Sequence, residues 1–571
     1  MEFRPVRSHQ NKDLLRNLVT STTLLSYYSS LYTSPHTISG FRYERYSCIV
    51  WRQGSESPDS DLRGRCISFF AIWLRSYVPC STLLTVEGVL AGLISGPAFV
   101  DVFDNPDAKL LGTIVAIYEV GCFFGACITF VIGDMLGRKR SIILGLFIML
   151  IGTVLQTSAS TVAHLIVGRI VTGLGNGINT SCVPMYQAET SSAKSRGRLV
   201  SLEGWFITIG IVIAYWITYG TSSSHNAAIQ FRTPIALQAV FAIVTLICLL
   251  KLPESPRWLL LKQRGDEAQE VLAMLDGKDT PIDAPHIIEQ RADIEEVIAA
   301  ESTTTIRDMF RNGQQKTMLR LALAYGIQMM QQLTGINAVI FYVPILLEQT
   351  MGLDHSLALI VSGCTGICFL VFTFLPILYI DSVGRRKPLM LGAAGQSISM
   401  MLLAILLRIG GKGPSTAAII FIFVYIATYS GFGWVAIPWL YPTEINELRF
   451  RAKGAALATT ANWIWNFAIV EITPIGIKNL GWKFYLIFMV FNAVFVPIIY
   501  FFYPETAGKT LEELDLLYAT SKRGSISVAR RSHQGTEIPE GSLARRRSSV
   551  GSMQVEKEKL SLSGRPHGSA V

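Results

Sequence analysis

The chain has 571 residues, 50% of them hydrophobic and 16% charged, with a formal net charge of +9 and a mean hydropathy of +0.39. Soluble domains run about 25% charged, so an ordinary soluble enzyme is excluded, and 10% aromatics exclude disorder over the bulk of the chain. The basic residues fall in short clusters between apolar segments and in the tail, which argues against nucleic acid as a partner and suits the positive-inside rule of membrane proteins.

Residues 1–77 form an atypical N-terminal segment. It lacks the n-region and h-region of a cleavable signal, and Arg75 and Pro79 make a poor start to a lipid-exposed helix. A membrane helix needs about 20 mostly apolar residues. Such stretches recur at 78–100, 111–131, 141–158, 162–184, 199–219 and 232–251, then at 318–347, 356–380, 387–408, 416–440, 455–476 and 482–503. The spacing thus predicts an all-α membrane protein of about twelve spans. An N-terminal half covers 78–252, a polar helical linker 253–316, a C-terminal half 317–515 and a disordered tail 516–571. The basic clusters Arg138-Lys139-Arg140, Lys194/Arg196/Arg198, Arg385-Arg386-Lys387 and Arg449/Arg451/Lys453 follow alternate spans. That alternation puts them, the linker and both termini on the cytoplasmic side.

The halves echo each other. Gly137-Arg138-Lys139 recurs 247 positions on as Gly384-Arg385-Arg386, Glu189 recurs 255 on as Glu444, and Pro253-Glu254 recurs 251 on as Pro504-Glu505. A duplicated six-helix unit around a midplane site is the plan of one large class of secondary transporters. Competing motifs fail. VGRIVTGLGNG at 167–177 lacks the last Gly of a dinucleotide loop and has no strand before it; Gly173 and Gly177 instead suit close helix packing. Tyr503 stands where the first Gly of a phosphate loop ending in AGKT belongs. The nine cysteines sit singly and read as buried thiols. No metal, cofactor or catalytic constellation is expected. Arg169, inside a span, must face a partner or a watery cavity. In the tail, Ser532 and Ser548 follow Arg pairs or runs at a spacing that suits basophilic kinases.

The motifs GDMLGRKR at 133–140, PMYQAE at 184–189, RGRLVS at 196–201, PESPRWL at 253–259, QQLTGIN at 331–337, DSVGRRK at 381–387, YPTEI at 441–445 and PETAGKTLEELD at 504–515 resemble those of the sugar porter family of the major facilitator superfamily. The likeness covers about residues 87–515, and its wording is most similar to fungal carriers of hexoses, polyols or glycerol. The resemblance implies the major facilitator fold and a monomer of the plasma membrane. It implies movement of a sugar or polyol by alternating access with proton symport; an uncoupled facilitator and a non-transporting nutrient sensor are the alternatives.

The resemblance also assigns residues. Gln331, Gln332 and Asn337 match sugar contacts, and Trp439, Asn462, Trp463 and Asn466 match further pocket positions. Amides donate and accept without charge, and an indole covers the apolar face of a sugar ring, so the chemistry fits a polyhydroxylated ligand. Arg138, Arg196, Arg385 and Arg451 are expected to pair with Glu189, Glu444, Glu254 and Glu505, latching the halves in the outward-open state and parting when it switches. Arg169 is expected to pair with an acid of the first span. There the family's Asp falls on Val86, leaving Glu87 as the candidate for proton coupling. Two further departures touch the pocket: Gly204, with Glu203 beside it, replaces a Gln, and Val435-Ala436 replace a Gly-Pro pair.

Overall fold

The computed structural model describes residues 90–518 apart from 91, 95, 191–195, 225, 227, 278–279, 303–308, 311–314, 448–449, 508, 510–513, 515 and 516. Glu87, the segment 1–77 and the tail serines Ser532 and Ser548 lie outside the described residues.

Every described element is helical. A short helix α1 (Pro97–Val102) ends what the sequence marks as the first span. Asp107 then caps α2 (Ala108–Leu136), accepting from the Leu110 N–H at 2.8 Å, as a short polar side chain does for an orphaned helix donor. There follow α3 (Arg138–Thr157), α4 (Val162–Thr190), α5 (Arg196–Ser222) and, after a wide turn over 228–232, α6 (Thr233–Leu250). The linker folds into α7 (Pro256–Leu261), capped by Ser255, then α8 (Gly265–Asp276) and α9 (Pro285–Ser302). Trp258, Leu260, Ala268 and Val271 form its small core, and Trp258 Nε1 ties it to the Asp134 carbonyl at 3.1 Å.

The second half opens with α10 (Thr317–Leu333) and α11 (Ile336–Ile340), separated by Gly335 at φ +91°. It continues through α12 (His355–Thr373), α13 (Leu375–Val383), α14 (Arg386–Ile409), α15 (Lys412–Gly431), α16 (Ile437–Ile445), α17 (Arg451–Leu480) and α18 (Lys483–Phe502). Three expected spans are therefore not single straight helices. Pro376 follows the break between α12 and α13, and Gly433, at φ +79°, lies in the break between α15 and α16.

Among the described residues eight helices are long and apolar enough to cross a membrane, or nine if the pair bent by 59° at residues 341–342 counts as one. Helices α4 and α17 have 29 and 30 residues but carry Arg169 and the Asn462 group, so composition and not length sets them apart. They can be polar because they face protein. Helix α2 packs on both α4 and α17, and α5 packs on α12, which joins the halves. A side chain on Gly173 would run into the Tyr118 carbonyl, and one on Gly177 into that of Cys122, the backbone approach that small residues permit. Outward, Val154, Leu250 and Leu378 are more than half exposed, as a lipid-facing surface requires.

The second half runs past residue 515. Tyr518 is fully buried, with the Arg320 guanidinium 4.1 Å above its ring.

Candidate functional site

Two clusters of charge mark one end of the helices, one in each half. Gly137, at φ +95°, makes the α2–α3 turn in a backbone region that favours glycine. The turn aims the N–H groups of Arg138 and Lys139 at Glu254 Oε1, 3.0 Å from each. The buried Arg138 guanidinium meets Glu189 at 3.0 Å and donates to the Gly133 carbonyl at 3.1 Å. Ser255 Oγ also donates to Glu189 Oε2, and Tyr186 OH donates to the Pro253 carbonyl at 2.8 Å.

The second half repeats this bond for bond. Gly384 has φ +92°. The Arg385 and Arg386 N–H groups donate to Glu505 at 2.9 and 3.0 Å. The Arg385 guanidinium donates to Glu444 at 2.9 Å and to the Ile380 carbonyl at 2.9 Å. Thr506 Oγ1 donates to Glu444 at 2.6 Å, and Tyr441 OH to the Pro504 carbonyl at 3.0 Å.

Among the described residues Arg138–Glu189 and Arg385–Glu444 each lie within one half and fasten its helices to the chain leaving it. The Arg196 side chain lies outside the described residues. Arg451 lines an opening with Glu189 and Arg257 of the other half.

Between the halves lies a cavity of about 980 Å³ counted to its open mouth, lined by all of Gln331, Gln332, Asn337, Trp439, Asn462, Trp463 and Asn466. Helical spacing gathers them: Gln331 and Gln332 share a face of α10 with Gln328, and Asn462 and Asn466 stand four apart on α17. The break at Gly335 swings Asn337 against both. Their amides form one mesh. Asn462 Nδ2 donates to Gln328 at 2.6 Å and Gln331 at 2.8 Å, and Gln332 Nε2 donates to Asn462 Oδ1 at 3.0 Å. Asn337 Nδ2 donates to Gln332 at 2.9 Å and Asn466 at 2.7 Å. Such a mesh fixes which atoms are left to meet a ligand. Thr180, Glu203 and Gly204 of the first half form the opposite wall, and Val435 faces Gly204 from the mesh side.

A second opening adjoins the cavity. The adjoining opening shares Thr180, Pro184 and Trp439 with it and leads past Glu189 and Arg451, toward the end with the charged clusters. At the other end the halves touch. Tyr215 OH donates to the Ile340 carbonyl, and Thr113 Oγ1 donates to Glu471 at 2.8 Å.

Arg169 stands apart from the cavity lining. Its guanidinium donates to the Val115 carbonyl at 2.6 Å and lies 5.1 Å from the centre of the Tyr118 ring, with the charge of Glu119 acting on it. Val115, Tyr118 and Glu119 belong to the second span, and Tyr342 of the other half also acts on the guanidinium.

The role assignments overlook Gln328, although it falls in the same helical period as Gln331, and Ser255 and Thr506, although each stands inside a quoted motif just after a Pro-Glu pair. Glu119 carries no motif at all.

The family model described as "Sugar (and other) transporter" matches residues 48–518, beginning ahead of residue 87, where the resemblance in the sequence begins. The MFS-type transporter oryC of Aspergillus oryzae is 42% identical over 467 residues, 79% of this chain and 86% of that protein. The sugar transporter STL1 of Saccharomyces cerevisiae is 36% identical, covering 81% of this chain and 85% of that one. Among solved structures, the MFS proton:xylose symporter XylE bound to 6-bromo-6-deoxy-D-glucose superposes with a TM-score of 0.67 at 25% identity, over 78% of this chain and 99% of that one. A duplicated all-helical membrane fold, a central cavity and a family match over most of the length agree: the chain belongs to the sugar transporter family of the major facilitator superfamily.

Proposed function

We propose that this protein carries a neutral sugar or polyol across the plasma membrane by alternating access, driven by proton symport, with the basic clusters and both termini in the cytoplasm. The observation that carries the reading is the amide mesh of Gln331, Gln332, Asn337, Asn462 and Asn466 beside Trp439 and Trp463 in one cavity. Uncharged donors and acceptors suit hydroxyl groups, and the indoles suit the C–H face of a ring. Opening at the charged end and contact at the other correspond to the inward-facing member of an alternating pair. The arginine clusters keep each half rigid at that end, so the halves rock as bodies, and no bond of the substrate is made or broken.

The test is uptake of labelled glucose, fructose, xylose, glycerol and sorbitol by cells lacking their own carriers, with and without an uncoupler. Saturable uptake of at least one, reduced by the uncoupler, is expected. Surface-expressed protein that binds a sugar and moves none of the five would overturn transport in favour of a sensor.

A further inference from the structure

A lone carboxylate stands on the cavity wall. Glu203, two turns into α5, is only 7% exposed and lines the same space as Gln331, Gln332 and Asn462. Among the described residues no cation and no hydrogen-bond donor reaches it, and no Arg, Lys, Asp or His shares the lining.

The ionisable groups on the helices packed against α5 are engaged elsewhere. Glu189 is held by Arg138, and Glu444 and Asp381 by Arg385. Arg169 is turned to the Val115 carbonyl and His355 to Glu348. Tyr186, Tyr379 and Tyr441 donate to backbone carbonyls. His164 and Arg232 sit at the end away from the opening. Cys182, Cys248, Cys364 and Cys368 do not line the cavity, and Tyr429 adds a phenol to its wall.

An ionised carboxylate with no partner is tolerated only while water hydrates it; removed from water, it neutralises by taking a proton. With the passage open, water reaches the cavity. Closure around a sugar replaces that water with a neutral molecule, whereas an empty cavity can close with its water retained. Only the loaded, closed state therefore demands a neutral Glu203.

We propose that Glu203 is the proton carrier of this protein, taking up one proton as the cavity closes on a neutral substrate and releasing it where the cavity reopens. The proposal rests on the transport reading above. On the loading side the carboxylate gains a proton from water and becomes a carboxylic acid; on the far side the acid returns that proton to water. One proton and one substrate molecule cross together. The acid also gains an O–H donor that the carboxylate lacks, which can meet a substrate hydroxyl, so proton and substrate favour each other's binding reciprocally.

The test uses the purified full-length protein in vesicles, with labelled glucose, xylose and glycerol as probes. Counterflow without a gradient reads transport alone. Accumulation under an inside-alkaline gradient of about one pH unit reads coupling, and one proton per substrate supports a ratio of about tenfold, since each 1.4 kcal/mol is a factor of ten. The wild type is expected to show both. Glu203→Gln is expected to keep counterflow, at whatever affinity, while its accumulation ratio falls to one. Accumulation that survives Glu203→Gln overturns the proposal and points to another acid such as Glu119. Wild-type counterflow without accumulation overturns it too and leaves the transport reading standing, while a wild type with no counterflow for any probe overturns both. Should Glu203→Gln lose counterflow as well, Glu203→Asp decides: its pH profile of accumulation shifts if the carboxyl carries the proton, and an unchanged profile overturns the assignment.

Discussion

Val435 fills the room that a side chain at Gly204 would need: a Cβ built on Gly204 stands 2.8 Å from Val435 Cγ1. The two positions lie in opposite halves, and both depart from the pattern of the sugar porters that the chain resembles, a Gln at the first and a Gly at the second. The departures are complementary in space, a small residue in one wall accommodating a larger one in the other. Gly204→Gln alone should overpack the cavity wall at a cost of roughly 1–3 kcal/mol, read as lost substrate affinity or surface expression. Adding Val435→Gly should restore about 0.5–3 kcal/mol of that loss, the range of coupling between touching residues. Additive effects in the four-variant cycle would show that the pair is not coupled.

The amide mesh makes Asn462 its hub, since it bonds Gln328, Gln331 and Gln332. Asn462→Ala strands three buried amides, and Gln332→Ala leaves Asn337 and Asn462 short of a partner. Each substitution should weaken substrate binding by roughly 1–3 kcal/mol, the cost of an unsatisfied buried polar group. Uptake kinetics at matched surface expression provide the check, and unchanged half-saturation in both variants would remove the mesh from the binding site.

The turns at Gly137 and Gly384 combine positive φ with a carboxylate packed against the Cα. A Cβ would stand 2.7 Å from Glu254 Oε2 at the first and 2.6 Å from Glu505 Oε2 at the second. Gly137→Ala and Gly384→Ala should therefore each lower thermal stability, by about 1–3 kcal/mol of combined backbone strain and displaced carboxylate. Melting of the detergent-solubilised protein measures this. Gly220→Ala is the control, because nothing lies within 4 Å of its added Cβ.

Much of this arrangement is legible in the sequence. The repeat offsets announce two equivalent clusters because a Gly-Arg turn and a Pro-Glu pair are local features. Five cavity residues, Gln331, Gln332, Asn462, Trp463 and Asn466, are legible because α10 and α17 carry them at a helical period, while Asn337 on α11 and Trp439 on α16 are legible through the resemblance alone. The partner of each arginine is not: Arg138 with Glu189 or with Glu444 satisfies the same charges, and only the packing of α3 and α4 decides. The neighbours of Arg169 escape for a related reason, since the Val115 carbonyl has no side-chain signature. Nor does hydropathy alone recover α4 and α17, whose polar faces are spent on protein contacts.

The clusters themselves should govern rate more than affinity. Neither Arg138 nor Arg385 lines the cavity, so neither touches a substrate held there. Each is buried, with side chains 6% and 7% exposed, against glutamates that are 12% and 19% exposed. Removing Arg138 leaves Glu189 with the Ser255 hydroxyl and Arg257 at 4.0 Å, removing Arg385 leaves Glu444 with the Thr506 hydroxyl, and either change frees the helix end that the arginine fastens. If the halves rock as rigid bodies, loosening one half changes the balance and barrier between its two positions, and a change felt differently by two states shifts turnover. Arg138→Ala and Arg385→Ala should therefore lower maximal uptake rate by about tenfold, equivalent to 1.4 kcal/mol, with half-saturation changed far less. Because the clusters are duplicated, the two variants should behave alike, and their combination should be worse than either. Initial rates over a substrate series, normalised to surface protein, separate the two parameters. A variant that raises half-saturation while keeping full maximal rate would place its arginine in binding, against the geometry.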